Sequence, residues 1–318
     1  MTVSRVVNGE PAVLPETAAR VERAIRRLGY QRNEAARRLR RRGQPTQTIG
    51  LLVDDLANPF FAALAAAVED AARQHGYVVL IGSSNDSLRR EREVVAAFCA
   101  RQVDGLIVVP VAGSHRFLVE QLERGTKVVC VDRPADGLAV DKVLVDNRAG
   151  ARKAVRHLLD QGHRRIGYLG DREDIWTIQE RYAGFQDAFG DIGTEPDPRL
   201  VQHGPRSRAA AAQLAASLLG LPDPPTALFT TTDLITMGAI DALQGQAELV
   251  ALIGFDEFAL ADKVSPPVTV VAQDPVALGV TAAQLLFSRI AGDTSPPREV
   301  VLLTRLVTRG SGELPPPP

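Results

Sequence analysis

What the chain lacks narrows it first. It has two cysteines in 318 residues, Cys99 and Cys130, each in an apolar context with no second Cys or His at ligand spacing. That pattern argues against a disulfide framework or a metal site and for two buried structural thiols in a reducing cytoplasm. No run of ~18 apolar residues occurs, and the N-terminus has no apolar signal-like core. Neither membrane insertion nor secretion is therefore expected. No Gly-rich phosphate loop follows a strand-like run, and neither His-Glu-x-x-His nor Gly-x-Ser-x-Gly is present. The five histidines stand in no catalytic arrangement. The expectation is a protein that is not an enzyme and carries no cofactor or metal.

Net charge is also nearly absent, at -1, but its distribution is uneven. Eleven arginines against four glutamates leave the first 48 residues at +7 and the remainder at -8. A basic head on an acidic body is the asymmetry expected when only the head meets a polyanion.

The most basic stretch is Asn33-Glu34-Ala35-Ala36-Arg37-Arg38-Leu39-Arg40-Arg41-Arg42-Gly43. Asn33 suits a helix N-cap, the alanines favour helix, and Gly43 suits a C-terminal stop. A helix of roughly ten residues is marginal alone in water, and five arginines within residues 37–42 repel one another. Two readings stay open: a helix that forms once phosphates relieve the repulsion and a partner covers Leu39, or a solvated linker. Ahead of it, residues 2–9 read as a short helix stopped by Asn8-Gly9. Residues 15–28 form a second, with Ala18, Val21, Ala24, Ile25 and Leu28 on one face. Two such helices bury too little surface to stand as a domain.

From residue 48 onward, short β-branched runs alternate with helical patterns. Strands are expected at 48–53, 77–82, 105–109, 127–131 and 143–145, then at 165–169, 200–202, 227–231 and 249–254. Helices are expected from Asn58-Pro59, and over 149–161, 180–189, 207–219, 234–243 and 275–290. Repeated strand-helix units predict doubly wound parallel sheets, and two series predict two similar lobes. Ligands in such sheets lie at the carboxyl ends of strands. The residues there are Asp54-Asp55, Ser83-Ser84-Asn85, Asp132-Arg133, Asp146-Asn147, Asp171, Thr232-Asp233 and Asp256. Each has helix N-capping as its alternative role.

Several of these pieces, in this order, resemble one family. Thr-Val-Ser-Arg-Val-Val-Asn-Gly, the Leu-Gly-Tyr at 28–30 and the stretch 33–39 look like the DNA-binding head and hinge of lac repressor type (LacI/GalR) regulators. Asn58-Pro59-Phe60-Phe61, Val131-Asp132-Arg133, Val145-Asp146-Asn147, Arg181-Tyr182-Ala183-Gly184-Phe185, Gly254-Phe255-Asp256 and Gln273-Asp274-Pro275 continue the likeness through the body.

The resemblance implies an α/β fold of two doubly wound, periplasmic-binding-protein-like lobes behind a small all-α helix-turn-helix head. The implied divisions are a head at 1–32, a hinge and linker at 33–47, and a body at 48–310. The first lobe is 48–146 plus 274–290 and the second 147–273 plus 291–310, crossed near residues 146, 273 and 291, with a disordered tail at 311–318. The family's first helix and turn are absent ahead of Thr2, so the reader either begins upstream of Met1 or has lost a part. By resemblance Arg5 reads a base edge, and Thr2, Ser4, Asn8, Tyr30, Asn33, Ala36 and Arg37 contact bases or phosphates. Leu39 is the wedge that enters the minor groove.

On the effector side, Arg181 hydrogen-bonds the ligand and Asp233 accepts from it, while Phe60, Phe61, Asp132, Trp176, Thr177 and Gln273 complete the pocket. Arg181→Ala is expected to remove the response without disturbing the fold. The sequence departs from the family at Gly204-Pro205-Arg206-Ser207-Arg208, where Arg206 suits an anionic effector or simply faces solvent. The expected partners are operator DNA, a sugar, sugar phosphate or nucleobase-like effector, and a second copy as homodimer or tetramer. The expected role is a cytoplasmic repressor; the alternative is a sugar-binding or dominant-negative subunit that no longer reads DNA.

Overall fold

Short runs of valine, leucine and isoleucine build two six-stranded sheets in the body of the chain. The structure, a computed structural model, describes residues 5, 6, 13–28, 45–205, 207–245, 247 and 249–317. The chain falls into two units, Met1–Thr46 and Gln47–Pro318. In the first unit, α1 (Pro15–Leu28) opens on Pro15 and Glu16 and ends on Arg26 and Arg27, each suited to its end of the helix dipole. None of its residues is buried, and Leu28 is 73% exposed. Thr2, Ser4, Asn8, Tyr30, Asn33, Ala36, Arg37 and Leu39, and with them the expected hinge helix, lie outside the described residues; Arg5 is described, exposed and helical.

In the second unit, β1 (Thr48–Val53), α2 (Pro59–Gln74), β2 (Val78–Ser83), α3 (Leu88–Ala100), β3 (Gly105–Val108), α4 (Arg116–Glu123), β4 (Lys127–Val131) and β5 (Asp141–Val145) form the first lobe. Its sheet order is β11-β5-β4-β3-β1-β2, all parallel. The second lobe holds α5 (Asn147–Asp160), β6 (Ile166–Gly170), α6 (Trp176–Gly190), β7 (Val201–His203), α7 (Arg208–Leu219), β8 (Ala227–Thr230), α8 (Asp233–Ala242), β9 (Ala251–Phe255) and β10 (Thr269–Ala272). α9 (Pro275–Ile290) returns to the first lobe, and β11 (Glu299–Leu302) and β12 (Arg305–Val307) close one edge of each sheet. The second sheet runs β12-β10-β9-β8-β6-β7, with only β12 antiparallel. Both lobes therefore repeat one winding, with the same switch point beside the first strand.

Period-two alternation divides each lobe into two cores. Leu51, Val53, Ile107, Val129 and Val131 pack against α2 and α9. Leu52, Leu106, Val108, Val128 and Cys130 face α3 and α4. In the second lobe Tyr168, Phe229, Ile253 and Phe255 face α5 and α6, while Leu169, Leu228, Leu252 and Val270 face α7 and α8. Both cysteines are free; burial pushes the Cys130 thiol up to about 12. The lobe helices start as their sequences dictate: Asn58 accepts from Phe60 N at 2.8 Å ahead of Pro59, and Asp274 from Ala277 N at 2.9 Å ahead of Pro275.

Helix packing in the second lobe leaves one position no room. A Cβ on Gly184 of α6 would stand 2.1 Å from the Arg148 carbonyl oxygen of α5. Gly184→Ala should therefore cost about 2–3 kcal/mol, because backbone must move rather than a side chain. Thermal melting checks this, and an unchanged Tm would show the two helices free to separate.

Two expected boundaries shift. β11 pairs with β5, so the third crossing between lobes falls between Leu302 and Arg305 rather than near residue 291. Four-residue edge strands carry little periodic signal, and a strand's partner is not a local property. The expected disordered tail is ordered where described. Ser311 Oγ donates to Leu252 O, Leu252 N bonds Ser311 O at 2.9 Å, and Glu313 accepts from Thr269 Oγ1 at 2.8 Å. These bonds tie Ser311 and Glu313 to the interior strands β9 and β10 of the second sheet, a role that the prolines behind them conceal in the sequence.

Candidate functional site

The carboxyl ends of both sheets carry an unusual density of buried charge. Asp54, Asp86, Asp132, Arg133, Arg181, Asp233 and Asp256 are each under a tenth exposed. Groups of this type are rarely buried without partners.

In the first lobe, Arg133 follows β4 and reaches back across the sheet. Its Nη1 donates to Asp86 at 2.7 Å and its Nη2 to Asp54 at 3.0 Å. Asp54 also accepts from Asp86 N at 2.7 Å, which ties the ends of β1 and β2 together. Asp132 lies 3.4 Å from Arg133 Nε, an atom that makes no hydrogen bond. Burial opposes the Arg133 charge, but Asp132, Asp86 and Asp54 hold the guanidinium above its ordinary range. Burial pushes Asp54 up, against the pull of Arg133.

In the second lobe, Arg181 sits one turn after Thr177 on α6 and points inward. Its Nε donates to Asn147 Oδ1 at 2.8 Å and its Nη1 to the Thr231 carbonyl. Nη1 also lies 3.6 Å from Asp256 Oδ2, and the guanidinium covers the Phe255 ring at 3.7 Å. Nη2 has no hydrogen bond to any described residue. Asp256 accepts from Gln273 Nε2, and the other amide atom, Gln273 Oε1, is buried without a partner.

Asp132 and Asp256 occupy the same place in the two lobes. Each is the first residue after its strand, each has left-handed φ (68° and 78°), and each donates its N–H to the neighbouring strand at 2.9 Å. Outside glycine that conformation is tolerated best by Asn and Asp, and it collects at functional sites because other residues are strained there. The two carboxylates feel one another: burial pushes Asp132 up to about 6, Arg133 and Arg181 pull it down, and Asp256 adds to the rise. Asp233, the first residue of α8, is also pushed to about 6, by burial and then by Asp256. Burial likewise raises Asp256, against Arg181 and Gln273.

The capping role open to strand-end residues goes to few of these aspartates. Thr232, not Asp233, caps α8, accepting from Ile235 N at 3.3 Å. Asp146 makes no capping bond to α5; its Oδ1 accepts from Thr304 N at 2.6 Å, joining the first and third crossings.

Among the residues expected on sequence grounds, the structure brings Asp132, Arg181, Asp233 and Gln273 into this cluster. Thr177 is buried and Trp176 half-buried at the start of α6. Phe61 is 5% exposed and belongs to the first lobe's core, with Phe60 half-buried against it at 5.2 Å between ring centres. Arg206 lies outside the described residues. Asp54, Asp86, Arg133, Asn147 and Asp256 join the cluster without having been singled out as ligand residues. All but Asp86 stood among the strand-end positions, but which carboxylate meets which guanidinium is set by strand order. Arg181→Ala cannot leave the fold untouched, since the side chain is 4% exposed and holds Asn147, Thr231 and Asp256 together.

Comparison with known proteins agrees with this architecture. Residues 1–33 match the family described as bacterial regulatory proteins, lacI family, and residues 155–312 match the periplasmic binding protein-like domain. The HTH-type transcriptional repressor CytR of Escherichia coli (strain K12) is 30% identical over 314 residues, 98% of this chain and 92% of its own. The HTH-type transcriptional regulator CelR of Thermobifida fusca is 32% identical over 324 residues, 98% and 94% of the two chains. The solved structure of a transcriptional regulator CelR-cellobiose complex is 30% identical, with a TM-score of 0.75 over 97% of this chain and 94% of that one. The chain belongs to the LacI family of bacterial regulatory proteins.

Proposed function

We propose that this chain is a cytoplasmic transcriptional repressor that binds a two-fold-symmetric operator as a dimer and is switched by a small polyhydroxylated effector held between its lobes. The observation that carries the reading is the wiring of Arg181. Its guanidinium is bound to Asn147 at the first crossing and, through Asp256, to Gln273 at the second. A ligand that engages Arg181 acts on residues that set the angle between lobes, which is how binding there biases a two-state element.

Relatives named as repressors and a relative solved with cellobiose support the regulator and the sugar class. The dimer is supported by β2, an unpaired sheet edge among the described residues on which Val78 is 64% and Ile81 42% exposed. Apolar strand edges of this kind are normally covered. The basic head, at +7, supplies the electrostatic share of DNA binding.

Selection from a random duplex library followed by gel-shift titration tests the reading. The expected result is a pseudo-palindromic consensus bound at least about a thousandfold more tightly than random DNA at physiological salt. Retention that is steeply salt-dependent and indifferent to sequence would overturn it and favour a subunit that does not read DNA. Leu39→Ala is expected to weaken operator binding about tenfold while effector affinity stays unchanged; equal operator affinity removes the wedge role.

A further inference from the structure

Resting on the cleft being the effector site, we propose that its ligand is uncharged, offers several hydroxyl or N–H donors, and bears neither phosphate nor carboxylate. In the first lobe Asp54, Asp86 and Asp132 gather around the guanidinium of Arg133, and in the second Asp233 and Asp256 gather around that of Arg181. Fully ionised, the cluster holds an excess of three negative charges.

Neither guanidinium is at an anion's disposal. Arg133 spends both terminal nitrogens on Asp86 and Asp54. Arg181 spends Nε on Asn147 and Nη1 on Thr231 and Asp256, which leaves one nitrogen, Nη2, without a described partner. A phosphate ordinarily needs a forked guanidinium or several charged donors, and a single N–H within a field of aspartates does not supply them.

Among the described residues, the rim's guanidinium is itself paired with a carboxylate. Arg172 is paired with Asp174, and Asp171 lies beside it. What the cleft offers in quantity is acceptors. Among the described residues the Asp132 carboxylate makes no hydrogen bond, only a 3.4 Å approach to Arg133 Nε. Gln273 Oε1 is a buried acceptor with no donor, which in a built site asks for one from the ligand. At neutral pH Asp132 and Asp233, pushed up to about 6, are still mostly ionised and so both accept donors and repel anions.

The expectation differs from what Arg206 suggests on sequence grounds, since a single added positive charge leaves the excess negative. Matched pairs of probes test it: ribose with ribose 5-phosphate, cellobiose with cellobionic acid, and cytidine and adenosine with their 5′-monophosphates. Calorimetry and the fluorescence of Trp176, the only tryptophan and half-buried at the start of α6, report binding to the full chain.

At least one neutral probe is expected to bind, and its anionic partner to bind at least about a hundredfold more weakly. In Asp132→Asn that discrimination should fall about tenfold, because one repelling charge is gone. The proposal is overturned if an anionic probe binds as tightly as its neutral partner, if no neutral probe binds at millimolar concentration, or if Asp132→Asn leaves the ratio unchanged. Operator titrations on the same preparations separate this from failure of the regulator reading: specific operator retention with equal affinity for the two members of a pair sinks only the charge rule.

Discussion

Asp132→Asn is expected to raise the Tm of the ligand-free protein at neutral pH, a gain that fades as the pH is lowered through 6. The carboxylate is 4% exposed and its pKa stands at about 6 against an ordinary 3.8. Burial is the main cause, opposed by Arg133 and Arg181 and reinforced by Asp256. A group whose folded-state pKa is raised binds its proton more tightly in the folded chain. Its contribution is therefore favourable at low pH and is lost as pH rises through 6. The gap corresponds to about 3 kcal/mol of strain in the ionised form at neutral pH. Asparagine keeps the shape and the left-handed backbone but carries no charge, so it recovers much of that, a rise of about 3–6 °C for a unit this size.

Melting curves of both proteins between about pH 5 and pH 8 check the result in the range where these groups titrate. A variant less stable at neutral pH, or a gain that does not change with pH, would show that Asp132 is not a strained carboxylate. Asp141 belongs to the opposite class and limits the window at its acid end. Burial works against its charge, yet Arg289 and Arg298 hold it below the ordinary carboxylate range. Its stabilisation is lost only as pH falls through that lower value.

The strand-by-strand legibility of the lobes comes from burial on both faces. After the exposed Lys127, residues 128–131, Val-Val-Cys-Val, are buried on both faces with nothing to obscure the pattern, and β4 spans 127–131. β11 is an edge strand with exposed positions in alternation, so Glu299–Leu302 looks like loop until its pairing with β5 is known. The same division holds at the site. Position after a strand marks Asp132 and Asp256 in the sequence, because a doubly wound sheet gathers function there. That these two stand at matching places in two lobes, under one guanidinium's influence, depends on how the lobes close. The pairing of Arg133 with Asp54, 79 residues away, is equally invisible to any local reading.

Arg181 carries the largest expected effects, and they divide into stability and response. Arg181→Ala removes the bonds to Asn147 and Thr231, the contact with Phe255, and the cation nearest Asp256. Taking one member from a buried ion pair leaves the other charged and unsolvated, at about 3–5 kcal/mol. The expected loss at neutral pH is about 10 °C in Tm. It should shrink toward pH 5, where Asp132, Asp233 and Asp256 take up protons more readily than ordinary carboxylates. Combining Arg181→Ala with Asp256→Asn removes the orphaned charge and should restore most of the stability, a positive coupling measurable as a double-mutant cycle.

Response should not return with stability. Arg181→Lys keeps the charge but cannot reach Asn147, Thr231 and a ligand at once, since an ammonium is a point donor rather than a fork. It is expected to lose at least about a hundredfold in effector affinity, and so to bind operator without being switched. Wild-type effector affinity in Arg181→Lys, or no rescue of Arg181→Ala by Asp256→Asn, would break the link drawn between the buried pair and the effector. Rescue of stability with response still absent is the result that places Arg181 between the ligand and the crossings.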